Sequence, residues 1–182
     1  MNFETLAQHS ISTQHETMAA SVVQRIYELR KKNLFESFVG FRNEEHRLEY
    51  VASVRGVEFI NDSKATNVNA TWYALEQMTK PLVWIVGGQD TKNDYKPLKP
   101  LVQQHVKAIV CLGVDNTKIC KEFGDIVKIM VQTTSAKDAV ETAYHLAENG
   151  DAVLFSPAAP SFDLFESYED RGNQFRNAVN QL

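Results

Sequence analysis

The chain has 182 residues and a mass of 20.6 kDa, enough for one domain with a short appendage at roughly 100 to 200 residues per domain. Hydrophobic residues make up 43% and charged residues 23%, with 8 Gly and 5 Pro, which excludes collagen-like, low-complexity and largely disordered chains. With 19 basic against 23 acidic side chains the net charge is -4, so neither nucleic acid nor an anionic membrane surface is expected as a partner.

The N-terminal stretch MNFETLAQHS has neither the basic nor the apolar part of a secretion signal. No uncharged apolar run reaches the roughly 18 to 20 residues that span a bilayer, and a cytoplasmic location is the expectation. From Glu16 to Lys32, Met18, Val22, Ile26 and Leu29 recur at helical spacing, with Arg30, Lys31 and Lys32 where cations suit the helix dipole. Leu34, Phe35 and Phe38 predict a second short helix. After Gly40 the pattern changes. EYVASV (49–54) and VEFIN (57–61) flank Arg55-Gly56 and predict a β-hairpin. A boundary is therefore placed at 42, giving a helical segment 1–41 and a domain 42–182.

Beyond the hairpin, strand and helix patterns alternate. LVWIVGG (82–88), AIVCLG (108–113), VKIMV (127–131) and AVLFS (152–156) are short apolar runs of the kind buried on both faces of a parallel sheet. Between them, Val68, Thr71, Trp72, Leu75 and Met78 share one helical face, and Ser135 with Asp138 predicts a capping box for a helix through Ala139, Val140, Ala143, Tyr144 and Ala147. The fold class is α/β: a doubly wound, mostly parallel, Rossmann-like sheet with an initial β-hairpin, preceded by an N-terminal helical segment. Cys111 falls in a buried strand and Cys120 in a helical stretch, a usage that suits reduced thiols.

Such a sheet binds its ligand in the loops at the carboxyl ends of its strands. Three loops are polar enough: NDSKATN (61–67), GGQDTKNDY (87–95) and SPAAPSFD (156–163), and all three should open on one rim. In the first, Lys64 can neutralise a phosphate or carboxylate and Thr66 can donate a hydroxyl, whereas the plain alternative is a solvated turn with Asn67 capping a helix. Gly87-Gly88 permits close backbone approach to a ligand or merely punctuates the turn. Ser161 either donates to a ligand carboxylate or opens the next helix as its N-cap. The eight glycines, at 40, 56, 87, 88, 113, 124, 150 and 172, fit neither G-x-G-x-x-G nor G-x-x-x-x-G-K-[ST], so no phosphate-cradling loop is present. Histidines 9, 15, 46, 105 and 145 show no ligand spacing and no G-x-S-x-G occurs, so neither a metal site nor a serine nucleophile is expected.

Taken in order, EHRLEYV (45–51), NDSKATN (61–67), VGGQDTKNDY (86–95) and SPAAPSFDLFESYEDRGNQF (156–175) resemble the C-terminal third domain of the Mur ligases that add D-glutamate. The resemblance covers essentially all of 42–182, and residues 15–41 look like the end of that family's central ATPase domain and its linker.

The resemblance implies an ADP-forming ligase of peptidoglycan precursor synthesis. It joins D-glutamate to UDP-N-acetylmuramoyl-L-alanine, with ATP and Mg forming an acyl phosphate that the amino group attacks. By resemblance Arg47, Asp62 and Lys64 face ATP, while Thr66, Ser161, Phe162 and Tyr168 line the D-glutamate pocket. Where the family has a lysine after its diglycine this chain has Thr91 and then Lys92, so Lys92 is the candidate for that role. STQHE (12–16) stands where the family has an ATP-facing asparagine. The phosphate loop and the UDP-binding domain are not in this chain, so it is expected to be inactive alone, as a third domain either encoded separately from a chain that carries them or cut from a longer gene's product. The alternative is a non-catalytic Rossmann-like binding module or a gene fragment.

Overall fold

The computed structural model describes residues 44–89 and 92–182, together with Ser21, Val22, Gln24, Arg25, Glu28, Leu29 and Lys32. The chain divides into two compact units, residues 1–40 and 41–182. The seven described positions of the first are helical, within the stretch where periodicity predicts a helix. The short helix expected at Leu34–Phe38 lies outside the described residues.

In the second unit Arg55 and Gly56 both take positive φ, +49° and +82°, as a two-residue hairpin turn requires. They join β1 (Glu49–Val54) to β2 (Val57–Asn61) in antiparallel register, Val54 opposite Val57, with a bulge between Tyr50 and Ala52. The remaining strands are β3 (Leu82–Val86), β4 (Val106–Leu112), β5 (Ile129–Thr133) and β6 (Ala152–Phe155). They complete one six-stranded sheet in the order β1-β2-β6-β3-β4-β5, parallel from β2 onward.

Every residue of β3 and β6 is buried, as continuous apolar runs at the centre of a covered parallel sheet should be. VKIMV behaves differently. Only Val127 in it is buried, the strand begins at Ile129, and Ile129 is 47% exposed. The expectation of burial on both faces is corrected here, because among the described residues β5 is the edge strand and pairs only with β4.

Five helices connect or flank these strands: α1 (Val68–Glu76), α2 (Lys99–His105, continuing a 3-10 turn at Lys96–Leu98), α3 (Thr117–Phe123), α4 (Ala136–Leu146) and α5 (Tyr168–Val179). Asn67 caps α1, its side chain accepting from Ala70 N at 3.0 Å, and the Ser135 hydroxyl accepts from Asp138 N at 3.2 Å to start α4. Right-handed crossovers put α1, α2 and α3 on one face, since they lead from β2 through β3 and β4 to β5; α4 returns across the sheet on the other face. The side chains agree. Val57, Phe59, Val83, Ile85, Val110, Val153 and Phe155 pack with α4 and α5, through Ala139, Val140, Ala143, Phe175 and Val179. Trp84, alternate to Val83 and Ile85, meets the edge of Phe123 of α3 at 5.5 Å. Each fully buried side chain of this size contributes about 1.5–3 kcal/mol. Both cysteines are free, Cys111 buried and Cys120 half-buried.

Candidate functional site

The chain leaves β3 toward β4 on one side, whereas from β6 it turns back through α5, which packs on β1 and β2. The direction of winding therefore reverses between β6 and β3, and the crevice at their carboxyl ends is where an open α/β sheet receives a ligand. The loops after β2, β3 and β6 meet there. Gly87 N donates to Pro157 O at 3.0 Å, Gln89 N to Pro160 O at 2.9 Å, and Asp62 N to Phe155 O at 2.8 Å. A Cβ at Gly88, whose φ is +137°, would stand 2.3 Å from Pro160 O. The close approach that Gly88 permits is thus to the neighbouring loop of the same protein.

Four of the five described non-glycine residues with positive φ flank this rim: His46 (60°), Leu48 (43°), Lys92 (69°) and Ala158 (62°). Each such residue costs of order 1–3 kcal/mol, a strain that the surrounding hydrogen bonds must hold in place.

Asp62 is one anchor of that hold. It is 4% exposed; its Oδ1 accepts from Leu48 N at 3.2 Å and its Oδ2 from the Ser156 hydroxyl at 2.7 Å, and Ser156 Oγ lies 2.9 Å from Thr71 Oγ1. Burial pushes the Asp62 carboxyl up to about 7 against the smaller opposing effects of these hydrogen bonds and of Arg47 and Arg171. A second anchor is Asn61, fully buried, whose Nδ2 meets His46 Nδ1 at 2.9 Å, Glu49 Oε2 at 3.2 Å and Gly172 O at 3.3 Å. Burial, and next the Arg176 charge, hold the His46 imidazole below its usual range.

The cations predicted to face a nucleotide lie together. Lys64 Nζ is paired with Glu44 Oε1, Arg47 Nε is 3.3 Å from Glu44 Oε2, and the ammonium of Lys64 stands 5.5 Å from the centre of the Tyr168 ring. Hydrogen bonding to Glu44 raises the Lys64 pKa and the same contact lowers that of Glu44. Glu44 is therefore the shared counter-ion of both cations, hydrogen-bonded to Lys64 but only ion-paired with Arg47 Nε, and an anionic ligand would compete with it. Asp62 is buried and makes its hydrogen bonds to Leu48 N and the Ser156 hydroxyl rather than to this pair. An open groove of about 550 Å³ beside Arg47 is lined also by Glu44, Glu45, Glu49, Tyr50 and Arg176.

Of the residues predicted to hold D-glutamate, Thr66 is half-buried in the loop after β2, Lys92 is exposed in the loop after β3, and Phe162 is 68% exposed in the loop after β6. Ser161 is buried and opens a turn, its carbonyl accepting from Leu164 N at 3.2 Å and Phe165 N at 3.0 Å. It does not cap a helix: α5 begins at Tyr168, and Ser167 caps it by accepting from Asp170 N at 3.0 Å. The N-cap alternative for Ser161 is thereby corrected, and its hydroxyl is not committed to a helix end. Tyr168 is half-buried, and its carbonyl accepts from the Ser63 hydroxyl at 2.7 Å. No hydrogen bond or ion pair among the described residues joins Thr66, Lys92, Ser161 and Phe162 to one another. They share a rim and do not form a closed cage.

Two contributors to this rim were not singled out in the sequence. Arg171, in YEDRGNQF, is 1% exposed, an unusual place for a charge in a segment that otherwise looks solvated. Asn93 ties the loop after β3 to that after β6 through Ala158 O at 3.1 Å.

A nucleotide and magnesium do not find a complete site in these residues. Among the described residues no group of three or more His, Cys, Asp and Glu side chains could hold a metal ion. The groove beside Arg47 pairs its two arginines with three glutamates, which leaves no excess positive charge for a triphosphate, and no glycine loop supplies backbone donors to one. Among the described residues no helix is long and apolar enough to cross a membrane.

Residues 46–159 match the family described as Mur ligase, glutamate ligase domain. The UDP-N-acetylmuramoylalanine–D-glutamate ligase of Christiangramia forsetii is 58% identical over 165 residues, covering 91% of this chain and 37% of that protein. The enzyme of the same name from Porphyromonas gingivalis is 44% identical over 182 residues, covering 100% of this chain and 40% of that protein. The chain thus spans about two-fifths of the length of these curated relatives. Among solved structures, E. coli FolC in complex with ADP superposes with a TM-score of 0.53 at 16% identity, over 76% of this chain and 32% of that one. UDP-N-acetylmuramate-alanine ligase MurC from Thermotoga maritima gives a TM-score of 0.51 at 12% identity, over 82% of this chain and 36% of that one. At such identities these likenesses show the shared α/β fold alone. The sequence match over most of the second unit goes further: the chain belongs to the Mur ligase family, and residues 46–159 carry its glutamate ligase domain.

Proposed function

We propose that this chain supplies the D-glutamate-binding part of the ATP-dependent ligase that adds D-glutamate to UDP-N-acetylmuramoyl-L-alanine, in the cytoplasm. The observation that carries the reading is the rim at the switch point: the hydroxyl side chains of Thr66 and Ser161 and the ammonium of Lys92 stand on the three loops at the carboxyl ends of β2, β6 and β3. A dicarboxylate needs donors of this kind. In this reading Thr66, Lys92, Ser161, Phe162 and Tyr168 receive D-glutamate, with Phe162 closing over its methylene groups. Arg47 and Lys64 form one wall for the anionic nucleotide once Glu44 releases them, and Asp62 holds that wall from behind. Residues 42–182 are the substrate-binding domain, and residues 1–41 belong to the end of the ATPase domain and its linker.

ATP and magnesium would be held chiefly by residues of a UDP-binding and ATPase part that lies outside these 182 residues. The chain alone is then inactive, since phosphoryl transfer rests on positioning and charge stabilisation around the phosphates. The test has two arms. A chemical-shift titration of the chain with D-glutamate should move the amides of Thr66, Ser161, Phe162 and Tyr168, and L-glutamate should move them less. The chain with ATP, magnesium, D-glutamate and UDP-N-acetylmuramoyl-L-alanine should release no ADP until a separately expressed UDP-binding and ATPase fragment is added. Shifts confined to residues far from the rim, or sustained ADP release by the chain alone, contradict the proposal.

A further inference from the structure

Arg171 is the only Lys or Arg among the described residues that is buried. Its Nε donates to Ser63 Oγ at 3.1 Å and its Nη2 to Ser63 O at 2.8 Å, both in the loop after β2. Its Nη1 donates to Ala159 O at 2.9 Å, in the loop after β6. The third loop lies against the same group: a Cβ on Gly88 would come within 3.1 Å of Nη1. One planar cation thus touches all three loops of the rim, from below.

For stability alone this is a poor arrangement. Withdrawing a guanidinium from water costs several kcal/mol, and an apolar side chain of similar volume serves a core as well or better. Burial draws the Arg171 pKa down to about 10, so the charge persists at neutral pH, supported by Asp163 and Asp62. What an apolar side chain lacks is the fork. Two carbonyls from loops 96 positions apart in sequence accept from one rigid plane, which fixes their separation and orientation at once. Lys64 follows Ser63 directly and Ser161 lies two residues beyond Ala159, within about 7 Å of chain. Ala158, beside Ala159, is one of the left-handed residues whose strain needs such a hold.

We propose that Arg171 is the positioning residue of the rim, setting the distance between the side chains on the loop after β2 and those on the loop after β6, and so the fit to a dicarboxylate. The ligand half of this statement rests on the D-glutamate reading above; the positioning half does not.

The test compares the full chain with Arg171→Lys, which keeps the charge and loses the fork, and with Val140→Ala, which trims the core under α4 away from the loops. Hydrogen exchange is read at residues 63–67 and 158–162 and in β3, alongside D-glutamate affinity by chemical-shift titration and thermal unfolding. For Arg171→Lys, both loops should exchange at least about tenfold faster together while β3 keeps its protection, and the apparent Kd for D-glutamate should rise about tenfold, the equivalent of one charge-assisted hydrogen bond. Val140→Ala should lower the melting temperature and leave loop exchange and affinity within about twofold of wild type, as expected for sites that share no partner. Should Arg171→Lys fail to fold, Ser63→Ala, which removes one of the three contacts, is judged by the same exchange criterion. Loop exchange that stays at the wild-type level, or an affinity loss that tracks melting temperature equally in Val140→Ala, overturns the proposal. If the wild-type chain binds no D-glutamate yet the two loops loosen together in Arg171→Lys, the ligand reading falls and the positioning role stands.

Discussion

Replacing Asp62 by Asn tests the electrostatics of the rim. The carboxyl stands at about 7 in the folded protein against 3.8 in an exposed chain, and burial is the cause. Below 3.8 both states carry the proton, above about 7 neither does, and between those values the folded protein binds more. Stability must therefore fall as pH rises through that window. At about 1.36 kcal/mol per unit, the displacement amounts to about 4 kcal/mol by pH 8. The carboxamide of the variant mimics the neutral acid in shape. It can donate to Ser156 Oγ, whose own proton then turns to Thr71 Oγ1 at 2.9 Å, so no hydrogen bond is lost. Urea unfolding of both proteins at pH 5, 6, 7 and 8 is the assay, with the difference between them cancelling every other titrating group. Asp62→Asn should gain on wild type by about 1.4 kcal/mol per pH unit below 7 and level off above it. A difference that stays constant across the series refutes the reasoning.

Gly172→Ala places a methyl 2.3 Å from His46 Nδ1 and should destabilise by about 1–3 kcal/mol in urea unfolding; His46→Ala should relieve that cost in a double-mutant cycle, and additivity of the two changes would contradict the clash. Ser167→Ala removes the cap on Asp170 N and should cost about 1 kcal/mol, again by urea unfolding. The imidazole of His46 should titrate below 6.5 by NMR, with stability lost as pH falls through that value, because the unfolded chain takes up the proton first. Glu44→Gln should raise affinity for inorganic pyrophosphate at low salt by freeing Arg47 and Lys64, measured by calorimetry; unchanged affinity would mean that Glu44 does not compete.

The hairpin was legible because Arg55-Gly56 between two β-rich runs leaves few alternatives, and the helices at Val68 and Ala136 because Asn67 and Ser135 are strong caps. The edge position of β5 was not legible, since an apolar run does not reveal which strands will lie beside it. The start of α5 was readable in principle. Ser167 with Asp170 repeats the spacing of Ser135 with Asp138, but Ser161 after two prolines offered a competing cap. Burial of Arg171 leaves no trace in hydrophobic periodicity. It depends on two carbonyls supplied by loops distant in sequence, and only the folded chain brings them to one guanidinium. The rim itself followed from topology, because parallel strands send their carboxyl ends to the same side.

The last strand in sequence, β6, lies between β2 and β3. A ribosome that has released residues up to about 150 has therefore produced two separate half-sheets, the β1-β2 hairpin and the β3-β4-β5 ribbon, each with an unpaired edge where β6 belongs. Such edges invite pairing with other nascent chains. Only when Ala152–Phe155 and the following helix emerge can both halves be joined, so productive folding of the sheet waits for its last strand and depends on long-range contacts that form slowly. Truncation between β5 and β6 should then yield aggregating material rather than a shortened but ordered domain.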